Sequence, residues 1–360
     1  MMRICQIMLA RGFGGAERYF VDLCGELARR GHDVLAVCHP AGMARARLPA
    51  LPRLRIAPLR TFGPWDPVAP RRLRRLLAGC RPAAVHAHLA RAAHVAGRAV
   101  RGSGPPLIVK THNYVDLRYY RDVTLFLPTT RDQAAYLARH GVAPQRIRVI
   151  PNFSALPAAS LPAGRPPAIV AMGRFVEKKG FDVLLAALAQ LRRRGIALPP
   201  VLLGGDGPLR AELEALSRRL GLADLVQFGG WQADAAAFLD RGTLFVLPSL
   251  DEPFGIAVLE AMARGVPVIA TRTQGPREVL DENTAWLVPP GDRDALAVAI
   301  ADALCRPDEA RARATRAGAA FRGRYAADAV VPELIAVYGA VSAGAEHAGV
   351  TEPGQHGGHR

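Results

Sequence analysis

Residues 168–194 read AIVAMGRFVEKKGFDVLLAALAQLRRR. The run Ala168–Met172 is apolar on both of its faces and too short for a helix. A turn bounded by Gly173 and Gly180 follows, and from Gly180 to Arg194 leucine and alanine recur at helical spacing. A strand buried on both faces, a glycine turn and an amphipathic helix make up one half of a βαβ unit, which places the strand in a parallel sheet covered by helices on both sides. Within the turn, Arg174 leaves the strand end and Lys179 stands at the helix start. Both cations can converge on one anion beside free backbone N–H groups, and a diphosphate is the natural guest.

The same alternation continues outward in both directions. Toward the C-terminus the pattern predicts strands over 200–204, 226–228, 244–248, 267–270 and 285–288, with helices over 208–220, 233–239, 256–264, near 276–280 and over 292–304. Toward the N-terminus it predicts strands over 3–9, 33–38, 54–58, 84–87, 107–110, 124–127 and 147–150, with helices over 16–30, 70–79, 92–101 and 131–140. Residues 154–167, SALPAASLPAGRPP, have no period and read as a linker. The expected organisation is an α/β protein of two Rossmann-like doubly wound domains, 1–153 and 168–325, with a cleft between the carboxyl ends of their sheets. A helix is expected over 326–345, and 346–360 reads as a frayed tail.

A length of 360 residues fits two domains at about 150 residues each. With 50% apolar and 22% charged residues and a mean hydropathy of +0.10, the composition is globular. Five scattered cysteines without a CxxC spacing suggest neither a disulfide framework nor zinc, and a reducing cytoplasm fits. No run of about 18 uncharged apolar residues occurs, so no membrane span is expected, and the N-terminal apolar run, interrupted by Gln6, reads as a buried strand. The formal charge of +16 is unevenly placed: residues 1–152 carry 25 basic and 8 acidic side chains, the remainder 22 and 23. Such a field attracts phosphates, whether of nucleic acid, anionic lipid or a charged glycolipid.

Three further motifs carry chemistry. Gly12-Phe-Gly14-Gly15-Ala-Glu-Arg18 joins the first strand to the first helix, where glycines allow close approach of a phosphate or sugar to helix N–H groups. It is not GxGxxG, and no acidic residue closes the next strand, which disfavours a nicotinamide cofactor. Glu252-Pro-Phe254-Gly255-Ile256-Ala-Val-Leu-Glu260 places one carboxylate in a loop, where it can accept sugar hydroxyls, and one inside a helix, where it can grip a ribose diol. Strand-end histidines are His86, His88 and His112, the last followed by Asn113; no nearby carboxylate or thiol completes a metal set. Asp292-Arg-Asp294 has the form of a metal-binding DxD but falls at a helix start and reads as a cap.

Taken together, Gly14-Gly15-Ala-Glu17, Gly173-Arg174…Glu177-Lys178-Lys179-Gly180, Gly205-Asp-Gly-Pro208, and Glu252-Pro-Phe-Gly…Leu259-Glu260-Ala-Met…Gly265-Val-Pro-Val-Ile-Ala270 resemble family 4 retaining glycosyltransferases of the GT-B fold. The resemblance runs from about Arg3 to the last helix, which it implies crosses back to the first domain. It implies transfer of a sugar from a nucleotide diphosphate sugar, with retention at the anomeric carbon, no cofactor and no essential metal. By position, Arg174 and Lys179 would bind the donor pyrophosphate and stabilise the leaving nucleoside diphosphate. Adjacency to Gly180 favours Lys179 over Lys178 for this role. Glu252 would contact the transferred hexose and Glu260 the ribose, with Gly15, Gly205, Phe254, Gly255 and Ile256 completing the donor site. His112 matches the family's histidine near the sugar, and Gly14, His88 and Asn113 are assigned to the acceptor. Gln274 stands where many relatives have glycine, a departure in the sugar pocket.

The reading is thus a metal-independent retaining hexosyltransferase, with a UDP-sugar as donor and a bacterial lipopolysaccharide or exopolysaccharide precursor as acceptor. The basic first half adds an anionic membrane surface as a partner, with a cytoplasmic location peripheral to the inner face of the membrane. A nucleotide-sugar epimerase of GT-B architecture and a basic nucleic-acid-binding protein are the alternatives, the second lacking any recognition module.

Overall fold

The computed structural model describes residues 1–63, 66–102, 104–159 and 166–348, the last four by backbone alone. Residues 160–165 of the expected linker and all but three of the expected tail lie outside the described residues. The chain divides into two compact units. One contains Met1–Pro128, Ala134–Ile150 and the chain from Val331 onward; the other contains Thr129–Gln133 and Pro151–Val330.

The first unit follows the sequence pattern closely. Its elements are β1 (Arg3–Met8), α1 (Gly15–Arg29), β2 (Asp33–Cys38), β3 (Leu54–Pro58), α2 (Val68–Cys80), β4 (Ala84–His88), α3 (Leu89–Val100), β5 (Leu107–Thr111), β6 (Leu125–Pro128) and α4 (Arg131–Arg139). All six strands are parallel, in the order β3-β2-β1-β4-β5-β6. The chain reverses direction across the sheet between β1 and β4, where open α/β sheets bind ligands. One sheet face is apolar: Cys5, Ile7, Val85, Ala87 and Val109 pack with Leu73, Leu77 and Val95. Each buried Val, Leu or Ile among them contributes about 1.5–3 kcal/mol of transfer free energy.

The second unit repeats the plan with β7 (Ile169–Met172), α5 (Phe181–Arg193), β8 (Val201–Gly204), α6 (Arg210–Arg219), β9 (Val226–Gly230), α7 (Ala235–Leu239), β10 (Leu244–Leu247), α8 (Ile256–Ala263), β11 (Val268–Thr271), α9 (Pro276–Val279), β12 (Trp286–Val288) and α10 (Arg293–Cys305). Its parallel order, β12-β11-β10-β7-β8-β9, is the same winding once counted from β7. Ile169, Ala171, Leu184 and Leu188 are buried on one side of the sheet, and Val170, Phe245, Leu259 and Met262 on the other. The face-to-face alternation along Ile169-Val170-Ala171 is what an uninterrupted apolar strand predicts.

Four features depart from the sequence pattern. Residues 147–150 form a single bridge, Phe126 to Ile147, rather than a strand; Pro151, which lacks an N–H, ends the pairing. Helix α3 begins at Leu89, with no loop after β4, and Leu89 takes φ +67° to make the corner. Thr129–Gln133 belongs to the second unit, where the Arg131 N–H donates to Glu278 Oε1 at 3.1 Å. A helix absent from the sequence reading, α11 (Pro307–Arg324), buries Ala310, Ala314, Ala317, Gly318 and Phe321, a stripe of mostly small residues that periodicity in large apolar side chains does not reveal.

The last helix, α12 (Ala327–Ala348), is long and apolar enough to cross a membrane by length and composition. Asp328 and Glu333 interrupt it, and Val331, Leu334, Val337 and Tyr338 are buried. From Val331 it belongs to the first unit, as the expected return crossing requires. There Glu333 pairs with Arg148 at 3.1 Å.

Candidate functional site

Opposite the apolar face, the first sheet carries an unusual row of polar side chains. Register pairs Gln6 with His86, Met8 with His88, and His88 with Lys110, and a period of two puts Gln6, His86, His88, Lys110 and His112 on one face. Gln6, His86, His88 and Lys110 are fully buried. Buried polar atoms require partners; Gln6, His86 and His88 find them in one another, His112 and Tyr338, Lys110 donates to the Ile150 carbonyl, and His86 Nε2 has none among the described residues. Gln6 Nε2 donates to Tyr338 Oη of α12 at 3.1 Å, and Tyr338 Oη lies 2.7 Å from His86 Nδ1. His88 Nε2 lies 2.9 Å from Gln6 Oε1, and His88 Nδ1 lies 3.2 Å from His112 Nε2. Tyr19 packs its ring edge on His112 at 5.4 Å between centroids.

The chemistry of these groups fixes the direction of the chain. A carboxamide oxygen only accepts, so the His88 Nε2–H donates to Gln6. Burial, with the Lys110 ammonium as a smaller cause, pushes His88 down to about 3, so the ring is neutral and carries that one proton. His88 Nδ1 must then accept from the His112 Nε2–H. Burial, His88 and Lys110 likewise hold His112 well below the ordinary histidine range. Its Nδ1 lone pair is left buried with no hydrogen-bond partner among the described residues. His112 follows the last residue of β5 and is half-buried as a whole; its neutral Nδ1 can only accept, and the ring cannot offer a positive charge.

His88, expected to meet an acceptor, has both ring nitrogens committed to Gln6 and His112, and it lines the pocket described next without a free ring nitrogen. It supports its neighbour. Asn113 is exposed and lines a pocket of about 660 Å³ in the first unit, together with His88. Gly14 and Gly15 open α1; Gly14 is its N-cap, with no side-chain bond to the first turn.

In the second unit, β7 ends at Met172 and the turn that follows brings Lys179 to Glu252, 73 residues away. Lys179 Nζ and Glu252 Oε2 form a tight ion pair whose side chains are 20% and 10% exposed. Ser249 Oγ donates to the same carboxylate oxygen at 3.4 Å, and the Gly275 N–H to the Glu252 carbonyl at 2.9 Å. Thr271 Oγ1 in turn holds the Ser249 carbonyl at 2.5 Å. The cap position of α8 is Gly255, at φ +89°, so Glu252 is not that helix's cap. Phe254 is buried and Ile256 half-buried.

The glycines here have steric reasons. Gly180 takes φ +63°, and a Cβ there would stand 2.1 Å from the Pro248 carbonyl oxygen. A Cβ on Gly205 would stand 1.8 Å from the Gly173 oxygen. The backbones of these turns therefore touch, and side chains are excluded between them.

Arg174 is exposed at the strand end, and Glu260 on α8 is 2% exposed. The pairing of Lys179 with Glu252 was not legible in sequence, where the two were assigned to different parts of one ligand. Among the described residues Glu252 takes one of the three N–H donors of Lys179, which leaves the others for a ligand. Ser249, Thr271, Gln6 and Tyr338 also went unmarked; a polar residue within a buried strand, as Gln6 is, was the available signal. Asp292 caps α10 by accepting from the Ala295 N–H at 2.9 Å, as its position predicted. Among the described residues no group of three His, Cys, Asp or Glu side chains is placed to hold a metal ion.

Comparison with known proteins agrees with this architecture. The model of the glycosyl transferases group 1 matches residues 153–321, and that of glycosyltransferase family 4 matches residues 13–154. The lipopolysaccharide core biosynthesis glycosyltransferase LpsE of Rhizobium meliloti is 33% identical over 297 residues, 80% of this chain and 84% of that protein. Sucrose-phosphate synthase from Thermosynechococcus elongatus superposes with a TM-score of 0.81 at 24% identity, over 96% of this chain and all of the other. Anabaena HepE, solved with UDP and glucose, gives 0.79 at 20% identity, over 94% and 100%. The two structures share the GT-B fold with this chain.

Proposed function

The chain belongs to the group 1 glycosyltransferases of family 4, and from that premise we propose that it transfers a sugar from a UDP-sugar to a lipopolysaccharide or exopolysaccharide precursor, with retention and without a metal ion. The observation that carries the reading is the Lys179–Glu252 pair, its lysine in the same turn as Arg174 after the first strand of the second unit. In transfer the glycosidic oxygen of the donor leaves with the nucleoside diphosphate, and negative charge grows on the departing phosphate. Arg174 and the free donors of Lys179 meet that charge, and preorganised donors of this kind supply the largest catalytic term in many enzymes. Glu252, fixed by Lys179 and Ser249, offers its remaining lone pairs to sugar hydroxyls.

On this reading the second unit binds the donor, with Glu260 toward the ribose and Gly205, Phe254, Gly255 and Ile256 shaping the site. The first unit binds the acceptor, with His112 accepting a sugar hydroxyl through Nδ1. LpsE, whose name assigns it to lipopolysaccharide core biosynthesis, supports a bacterial surface glycan as acceptor. HepE, solved with UDP and glucose, supports uridine in the donor. The net positive charge of the first half favours a location on the inner face of the cytoplasmic membrane, where anionic head groups lie.

The test is calorimetry with UDP, GDP and ADP on the intact protein and on Arg174→Ala. UDP is expected to bind, and Arg174→Ala to weaken it about tenfold or more, the value of one charge-assisted bond. Absence of heat with all three nucleotides would end this reading.

A further inference from the structure

The pocket of about 660 Å³ in the first unit lies over the carboxyl ends of β1, β4 and β5, at the point where the sheet winding reverses. Arg11, from the end of β1, and Arg91, from the first turn of α3, line it. Among the described residues neither guanidinium forms an ion pair with a carboxylate; Arg91 donates only to the Leu9 carbonyl, at 3.4 Å. Among the described residues the one acidic side chain in the lining, Asp116, is paired with Arg118 at 2.5 Å. The pocket therefore carries uncompensated positive charge, which an isolated surface arginine would share with solvent but which here is gathered on one concavity.

Two further observations point the same way. Helix α3, 12 residues long, begins in the pocket: Leu89 to Ala92 line it, and its N-cap, His88, makes no side-chain bond to the first turn because its ring serves Gln6 and His112. The first-turn N–H groups and the positive end of the helix are thus uncapped. Thr61, lining the same pocket and 2% exposed, has a hydroxyl with no hydrogen-bond partner among the described residues.

We propose that this pocket binds an anionic group, a phosphate ester or a carboxylate, carried on the acceptor glycan, with Arg11, Arg91 and the N-terminus of α3 as its ligands. The inference rests on the reading that the first unit holds the acceptor, and it narrows the acceptor to a charged sugar. Arg forks and helix N–H groups suit planar or tetrahedral oxyanions. Neutral hexoses, which present only hydroxyls, leave the guanidiniums unanswered.

The experiment measures binding of glucose 6-phosphate, glucuronate, glucose and inorganic phosphate to the intact chain, to Arg11→Gln and to Arg91→Gln, with UDP binding followed in parallel. At least one of glucose 6-phosphate and glucuronate is expected to bind, to weaken tenfold or more in each variant and to weaken again in high salt, while glucose does not bind and UDP affinity is unchanged. Inorganic phosphate binding as tightly as the sugar anions, or glucose binding as tightly as they do, would overturn the proposal. So would displacement of the sugar anions by UDP, which would put them in the donor site. Sedimentation with phosphatidylglycerol vesicles separates the lipid source: loss of vesicle binding in Arg91→Gln with no change toward sugar anions would make the pocket a membrane contact and sink the proposal. Failure of UDP to bind, with anion binding and its dependence on Arg91 intact, would refute the donor reading and leave this one standing.

Discussion

His88 Nδ1 stands 3.2 Å from His112 Nε2, and because His88 gives its only proton to Gln6, the His112 ring is fixed in one tautomer. In nitrogen-15 spectra His112 is expected to carry its proton on Nε2, with Nδ1 bare. Gln6→Leu removes the acceptor that orients His88, so His112 should then populate both tautomers, and transfer should fall roughly tenfold, the worth of one hydrogen bond of about 1–1.5 kcal/mol. A wild-type His112 protonated on Nδ1 would reverse the assigned direction.

Lys179→Ala and Glu252→Gln should separate in a thermal melt while both lose transfer. Removing Lys179 strands a nearly buried carboxylate and should cost about 3 kcal/mol or more of stability. Glu252→Gln keeps a carbonyl oxygen for Lys179, so its melting temperature should move much less. Both should lower kcat by about 10²–10³, as loss of a preorganised charge partner does. Near-normal turnover in either would show that the pair is not in the reacting site.

Gly180→Ala should destabilise the second unit. A left-handed φ costs a non-glycine residue about 1–2 kcal/mol, and the Pro248 oxygen would be displaced as well. Chemical denaturation would record the loss. Stability equal to wild type would mean that the turn can relax without strain.

Acid should weaken the first unit earlier than carboxylate protonation explains. Burial holds His86 well below its ordinary value and His88 at about 3. In the unfolded chain these rings take up protons below about pH 6.5, whereas the folded chain takes them up only at much lower pH. Their contribution is therefore whole above pH 6.5 and declines as pH falls from there toward 3, with a slope approaching about 1.4 kcal/mol per unit for each ring. These two rings alone should make urea unfolding at pH 5.5 weaker than at pH 7.5 by about 2–3 kcal/mol, and His112, lowered in the same direction, adds to the difference. Equal stability would show that the rings are charged in the fold.

Chelation gives a further check. Transfer measured in EDTA should match transfer in magnesium, since Arg174 and Lys179 are assigned the neutralising role. Dependence on a divalent ion would shift that role away from them.

Much of this fold was legible because most of its parallel strands are short apolar runs and their bounding glycines have steric causes. Asp33–Cys38 and Leu54–Pro58 came out to the residue. Arg174, Lys179 and Gly180 were visible as a charged turn. What stayed hidden was long-range partnership: nothing local to Lys179 names Glu252, and nothing local to Tyr338 names Gln6. Helix α11 escaped for a different reason, since alanines and a glycine fill most of its inner stripe and leave little periodic contrast. The Leu89 corner was missed because a helix is expected to need a loop before it, and a leucine at φ +67° supplies the turn instead.

Tyr338 reaches Gln6 across 332 positions of sequence. During synthesis, Gln6 and His86 leave the ribosome long before the hydroxyl that satisfies them exists. The amino-terminal sheet therefore waits, partly unsatisfied, until the whole of the other unit has been translated, and an isolated amino-terminal half would need that helix supplied in trans to complete its core.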